Sequence, residues 1–210
     1  SAAEPLRQAL TDENPGVRFE SASALWTRGW ALAPSRRALF ELRDSLGHHA
    51  WWRIQVLNCL IIRPDAEIVG LVLAACRDGH DEVRRSAFAL LDRIEGGVDD
   101  LLREGLRDTV RSIRAIAADE IFRRYGAEGL AWLIRSFQED PAARFSLLSL
   151  IDWRFGEAGR KFLIDVTKSD LDARIRERAE RQLSRGRDGS AALADSTSTL
   201  HEHPGEEERD

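Results

Sequence analysis

The stretch DGHDEVRRSAFALLDRIEGG, residues 78–97, carries the pattern that decides the fold. An Asp stands five residues before an apolar residue that is followed directly by Arg, and apolar or small residues recur at +4, +7 and +8 from that apolar residue. Spacings of three and four place side chains on one face of an α-helix, whereas a half-buried strand alternates with a period of two. The stretch therefore predicts an amphipathic helix that begins near Val83 and is closed by Gly96.

The same pattern returns along the chain at a nearly constant interval. Three further clear copies consist of Asp12, Val17 and Arg18; Asp108, Ile113 and Arg114; and Asp170, Ile175 and Arg176. Two weaker copies, at Arg53 and Arg144, have Trp52 and Ala143 in place of the usual Val. The six arginines are spaced by 35, 31, 30, 30 and 32 residues: Arg18, Arg53, Arg84, Arg114, Arg144 and Arg176. So even a period predicts six structural repeats.

Each repeat is predicted to form two helices, the second of which begins at the apolar-Arg pair. The preceding first helices have their own apolar stripes, which are Leu101, Leu102 and Leu106 in the fourth repeat and Leu130, Leu133, Ile134 and Phe137 in the fifth. We expect Asn14-Pro15 to open a second helix, and Gly29, Gly96 and Gly126 to close three of them. One helix pair cannot bury its own apolar face, so neighbouring pairs must stack on one another.

The repeated Asp and Arg residues have a structural interpretation that needs no ligand. An Asp just before a helix complements the positive end of the helix dipole. The Arg side chains are expected to bond to helix ends and to the adjacent repeat. We predict this role for all six arginines and for Asp12, Asp78, Asp108 and Asp170.

The pattern D-x4-[VI]-R-x-x-A-x-x-A-L resembles that of HEAT-like repeats, in the short bacterial form of phycobilisome-lyase-type proteins. The resemblance covers about residues 5–185, and the signatures of tetratricopeptide and ankyrin repeats are absent. It implies an all-α fold, a right-handed α-solenoid of about six HEAT-like helix pairs. We assign the solenoid to residues 1–185.

The end of the chain differs in composition from the rest. Residues 186–210 contain two basic and seven acidic residues, a net charge of -5, which is the net charge of the whole chain. The remaining 185 residues therefore carry 29 basic and 29 acidic residues. A polar segment of this kind buries too little apolar surface to offset its ordering entropy. We expect residues 186–210 to form a disordered acidic tail.

Composition also excludes several classes of protein. Two Cys in 210 residues exclude a disulfide-dense secreted scaffold. No apolar run approaches the ~20 residues that a membrane span needs. The first residues show no basic start followed by an apolar block, the pattern of a signal peptide. We therefore expect a cytoplasmic protein that does not act at a membrane, and the resemblance to short bacterial repeats implies a bacterial one.

The second helices are predicted to present a binding surface. If positions +4, +7 and +8 are buried, positions +2, +6 and +9 point the other way, toward the concave side of a solenoid. Aromatic and charged residues are concentrated there, which is typical of a protein-binding groove. The predicted partner-binding residues are Phe19, Trp26, Ile54, Asn58, Arg85, Asp92, Asp119, Phe122, Phe145, Asp152 and Trp153.

A competing interpretation places the aromatic side chains between the repeats, because large apolar residues mostly lie in cores. It applies to every aromatic residue in the set. It is favoured for Trp51 and Trp52, which stand at the start of a helix.

Two other functions share the same repeat type. Some DNA glycosylases that excise alkylated bases are short HEAT-like solenoids with Trp and Asp on the concave surface, and Trp26, Asp119, Asp152 and Trp153 resemble that set. Duplex binding needs a basic surface, and the neutral body and acidic tail argue against nucleic acid. A lyase-accessory role follows from the repeat type alone. We favour a non-enzymatic scaffold for a protein or peptide ligand.

A metal site has weak support. Cys76 and His80 lie four residues apart, and His48 or His49 could add a third ligand. A buried small Cys and a His in a turn explain the same residues more simply. We predict no metal ion, no cofactor and no catalytic residue.

Overall fold

In a computed structural model of the protein, residues 3–141, 144–151 and 155–184 are described, and they contain helices and turns but no strand. The chain forms two compact units, residues 1–120 and 121–210. The helices are α1 (Ala3–Gln8), α2 (Pro15–Arg28), α3 (Leu32–Leu46), α4 (Ala50–Leu60), α5 (Ala66–Ala75), α6 (Asp81–Ala89), α7 (Asp99–Gly105), α8 (Arg111–Tyr125), α9 (Leu130–Glu139), α10 (Arg144–Leu148), α11 (Gly156–Ser169) and α12 (173–184). Ala143, Asp152, Trp153 and the tail 186–210 lie outside the described residues.

The apolar stripes predicted for the helices form the core. In the third repeat Val83, Ala87 and Leu91 are fully buried, and Leu90 is nearly so. The first-helix stripes behave in the same way, apart from Ile134, which is only half-buried. In the first unit α2 packs on α3, α3 on α4, and α4 on α6. Successive helix pairs therefore share their apolar faces, as the period of three to four residues requires.

The predicted caps are confirmed at α2. The Asn14 side chain accepts a hydrogen bond of 2.8 Å from the Gly16 N–H, and Pro15 occupies the first turn. Gly29 ends the helix in the left-handed region, at φ 72°. Gly126 likewise follows the last residue of α8 with a positive φ.

The predicted end of α6 is wrong. The helix stops at Ala89, and a 3-10 turn at Leu91–Arg93 follows before Gly96. A 3-10 turn has three residues per turn. It therefore aligns Leu91 with Ile94, and both side chains are buried.

Five repeat arginines make the same contact within their own repeat. In each, Nη1 donates to the backbone carbonyl six residues earlier. The distances are 2.7 Å for Arg18 to Asp12, 2.6 Å for Arg53 to Gly47, 2.9 Å for Arg84 to Asp78, 2.6 Å for Arg114 to Asp108 and 2.7 Å for Arg176 to Asp170. The contact fixes the guanidinium against the turn that precedes the second helix.

Three of the repeat arginines also reach the next repeat. Arg53 Nη2 lies 3.0 Å from Asp78 Oδ1. Arg84 donates hydrogen bonds to the Asp108 carboxylate from both Nε (2.9 Å) and Nη2 (3.2 Å). Arg144 binds Asp170 within the second unit. We call this series of Arg-to-Asp bonds the arginine ladder. It confirms the predicted joining role for Asp78, Asp108 and Asp170, whereas Arg18 and Asp12 have no such bond among the described residues.

The Asp108 carboxylate accepts hydrogen bonds from its own turn and from the preceding repeat. Its Oδ1 accepts the Val110 N–H at 2.8 Å as well as the Arg84 guanidinium. Burial acts to raise the pKa of the Asp108 carboxyl, but the hydrogen bonds from Arg84 and Val110 outweigh burial and lower the pKa below its ordinary value. The folded protein therefore binds the ionised carboxylate more strongly than its protonated form.

Asp108→Asn should therefore lower stability in a pH-dependent way. A depressed pKa contributes stability that is fully present above the unfolded-state value of about 3.9 and is lost as pH falls through the folded-state value. Thermal unfolding across this pH range should show a constant deficit for Asp108→Asn near neutrality that shrinks in acid. Asp100→Asn, at an exposed ion pair with Arg103, is the matched control. A deficit independent of pH would contradict this account of Asp108.

Gly105 marks a close approach between three helices. A Cβ atom on this last residue of α7 would lie 2.4 Å from Phe88 Cε1 of α6 and 2.8 Å from the Ala117 Cβ of α8. Gly70, within α5, has no such neighbour within 4 Å. Packing therefore requires the absence of a side chain at Gly105, whereas Gly70 is free to change.

Gly105→Ala should destabilise the protein by about 1–3 kcal/mol through overpacking. Gly70→Ala should instead stabilise it by about 0.5–1 kcal/mol, because Ala loses less backbone entropy in a helix. Urea unfolding monitored by circular dichroism measures both changes. Equal effects of the two substitutions would show that the three helices do not pack as closely as described.

Candidate functional site

Two of the predicted binding aromatics lie in the core. Phe19 is 8% exposed and Trp26 is 5% exposed, so the expectation that they line an open groove is wrong. The Phe19 ring packs edge-on against Trp52 of the next repeat, with ring centroids 5.6 Å apart. Arg63, just after α4, donates to the Trp26 carbonyl at 2.9 Å. Residues of the second repeat therefore contact both Phe19 and Trp26.

Trp51 is the most exposed aromatic residue of the described first unit, at 56%. Its ring lies edge-on to Trp52, 4.6 Å between centroids, and Trp52 in turn contacts Phe19. The three rings form a continuous row from the core to the surface. The favoured interpretation of Trp51 as an inter-repeat residue is therefore wrong.

Comparison of equivalent positions in the repeats could have predicted that Trp51 is exposed. It stands two residues before the repeat Arg, where other repeats have Gly16, Glu82 and Ser112. Small and polar residues at an equivalent position indicate a site that faces solvent. A Trp at such a site is expected to be exposed rather than buried in the core.

Trp51, Ile54 and Asn58 follow one another along α4 at spacings of three and four residues, and we call them the α4 stripe. Ile54 is half-buried and Asn58 is exposed. Ser86 of α6 donates to Asn58 Oδ1 at 3.3 Å, which ties the stripe to the neighbouring repeat. Because Oδ1 accepts this bond, the Asn58 amide N–H groups are left to donate outward.

The charged residues predicted for the first unit are on the surface. Arg85, Asp92 and Asp119 are all exposed. Arg85 directly precedes Ser86 on α6.

The second unit has its own exposed aromatic residue. Phe145 is 46% exposed, and the Arg178 guanidinium lies 5.1 Å from the centre of its ring. Arg178 Nε also donates to Ser149 Oγ at 3.0 Å, which holds the guanidinium in place. Phe122 is half-buried because its ring packs against Phe155, with centroids 5.2 Å apart.

The cysteines and histidines do not form a reactive centre in the described part of the chain. Burial raises the pKa of the Cys76 thiol to about 12 and also raises that of Cys59. His80 Nδ1 lies 2.9 Å from Arg53 Nη2 of the ladder. Across residues 3–141, 144–151 and 155–184, no group of three or more His, Cys, Asp or Glu is placed to hold a metal ion.

Comparison with known proteins finds similar solved structures but no family. No family model matches the chain, and no curated protein matches it. A crystal structure of an engineered protein is 17% identical, with 90% of this chain and 98% of that chain covered and a TM-score of 0.41. A likeness at this level decides neither fold nor function. Among the described helices, none is long and apolar enough to cross a membrane.

The two tryptophans should respond differently to truncation. Trp26→Ala should cost about 3–5 kcal/mol of unfolding free energy, because it opens a cavity in the core. Trp51→Ala should cost only about 1 kcal/mol, the scale of one aromatic pair. Urea unfolding of both variants measures the difference, and a larger loss for Trp51→Ala would contradict the described positions.

Proposed function

We propose that the chain is a non-enzymatic HEAT-like binding module, a right-handed α-solenoid that uses its second helices to hold a protein or peptide. The observation that carries the proposal is Trp51, a large aromatic side chain left exposed on a helix that is otherwise well packed. Exposed aromatic residues on a rigid surface are typical anchors of protein interfaces.

The row of rings supports an anchoring role for Trp51. Trp52 and Phe19 back its ring, and both are held in the packed interface between two repeats. A side chain that is already ordered loses little entropy when a ligand binds. Trp51 therefore offers apolar contact area at low cost.

The rest of the α4 stripe supplies complementary chemistry. Ile54 extends the apolar surface beside Trp51, and the Asn58 amide offers N–H donors to a ligand carbonyl. The expected ligand is a protein segment with an apolar side chain that packs on Trp51 and a backbone or side-chain carbonyl near Asn58. The arginine ladder supports the proposal further, because it fixes α4 and α6 at a defined separation.

The test begins with capture of partners from the native lysate on the immobilised wild-type protein and on the Trp51→Ala variant. A partner that depends on Trp51 is then purified, and its dissociation constant is measured by calorimetry. Trp51→Ala should weaken binding by about thirtyfold or more, the effect of an interface hot spot of about 2 kcal/mol.

Trp30→Ala is the matched control, because Trp30 is also exposed but lies in the turn between α2 and α3. It should leave the affinity unchanged. Partners that bind Trp51→Ala as tightly as the wild type would overturn the proposal. Recovery of nucleic acid in place of protein would do the same.

A further inference from the structure

The arginine ladder lacks a carboxylate at its first position. Arg18 donates from Nη1 to the carbonyls of Asp12 (2.7 Å) and Glu13 (3.0 Å), so its side chain is fixed as in the other repeats. Arg53 and Arg84 use their remaining N–H groups to bind the Asp of the next repeat. Arg18, in contrast, has no ion pair with any residue that the structure describes.

The carboxylate is missing because the second repeat has Gly47 at the position of the repeated Asp. Asp78 lies six residues before Arg84, and Gly47 lies six residues before Arg53. A Cβ atom on Gly47 would lie 2.3 Å from the Arg43 carbonyl oxygen, so the backbone at this turn leaves no room for an Asp. The chain therefore holds Arg18 ready for a carboxylate that its own next repeat does not provide.

Arg18 lines an open pocket of about 740 Å³ between the turn after α1 and the end of α3. Leu10 and the buried Leu42 give the pocket apolar surface. Glu13 and Glu41 also line it, are exposed, and have no ion pair within the described residues. Asp12 and Asp44 line the pocket as well, so one cation and four carboxylates face the same space.

We propose that this pocket binds a partner protein through an Asp or Glu side chain flanked by Lys or Arg. The partner carboxylate takes the place on Arg18 that Asp78 takes on Arg53 and Asp108 takes on Arg84. Its basic neighbours face the four carboxylates of the pocket, which would repel an isolated anion. An Arg side chain suits this role because its planar fork binds carboxylates through two N–H groups.

The pocket is separate from the α4 stripe. It is lined by the turn after α1, the start of α2 and the end of α3, whereas the stripe lies on α4. Binding of a carboxylate in the pocket therefore does not depend on the proposed function of the α4 stripe. Trp51→Ala should leave binding in the pocket unchanged.

The test uses two blocked tripeptides, acetyl-Lys-Glu-Lys-amide and acetyl-Lys-Gln-Lys-amide, titrated to millimolar concentration. Chemical shifts of the Arg18 Nε–H group, followed by NMR, report occupancy and give the dissociation constants. Both peptides carry the same two cations, so their difference isolates the carboxylate. The Glu peptide should bind about tenfold more tightly, as expected for a charge-assisted hydrogen bond.

Arg18→Lys should abolish the preference for the Glu peptide while the melting curve still shows a folded protein. Arg37→Lys, at an exposed position on α3, is the matched control and should retain the preference. Equal binding of the two peptides, no binding of either, or a preference that survives Arg18→Lys would each overturn the proposal.

Discussion

The bond between Arg84 and Asp108 is the constraint from which the rest of the structure follows. The Arg84 side chain is 13% exposed and the Asp108 side chain 11%, so solvent screens the pair only weakly. One guanidinium holds the carbonyl of its own turn and the carboxylate of the next repeat together. Apolar stacking drives the repeats to associate, but it is not directional. The ladder supplies the direction and sets the register between one second helix and the next.

Both candidate sites arise where the chain departs from this repeat. Trp51 stands where other repeats carry small or polar residues, and it leaves an aromatic ring exposed on the surface of α4. Gly47 stands where four of the other five repeats carry Asp, and it leaves Arg18 with unused N–H groups beside a pocket. Sites at which a regular pattern is broken are where function is expected. The regular residues hold the framework, and the exceptions are available to ligands.

Much of the fold was accessible from the sequence because it depends on periodic properties. The helices, the buried stripes, the caps at Asn14 and Gly29, and the joining role of Asp and Arg all follow from spacing and local chemistry. The exposure of the aromatic residues does not, because periodicity indicates the face of a helix and not the gap to its neighbour. Trp52 packs against Phe19 across that gap, and Arg63, just after α4, donates to the Trp26 carbonyl. The solenoid and its right-handed twist remain predictions.

The most direct measurement is a double-mutant cycle on Arg84 and Asp108, with Arg84→Gln, Asp108→Asn and the double variant unfolded in urea at neutral pH. We expect a coupling free energy of about 1–3 kcal/mol for this pair. The exposed pair Arg181 and Glu177, measured in the same way, should give about 0–0.5 kcal/mol. A coupling for Arg84 and Asp108 no larger than that of the exposed pair would contradict the claim that the ladder joins the repeats.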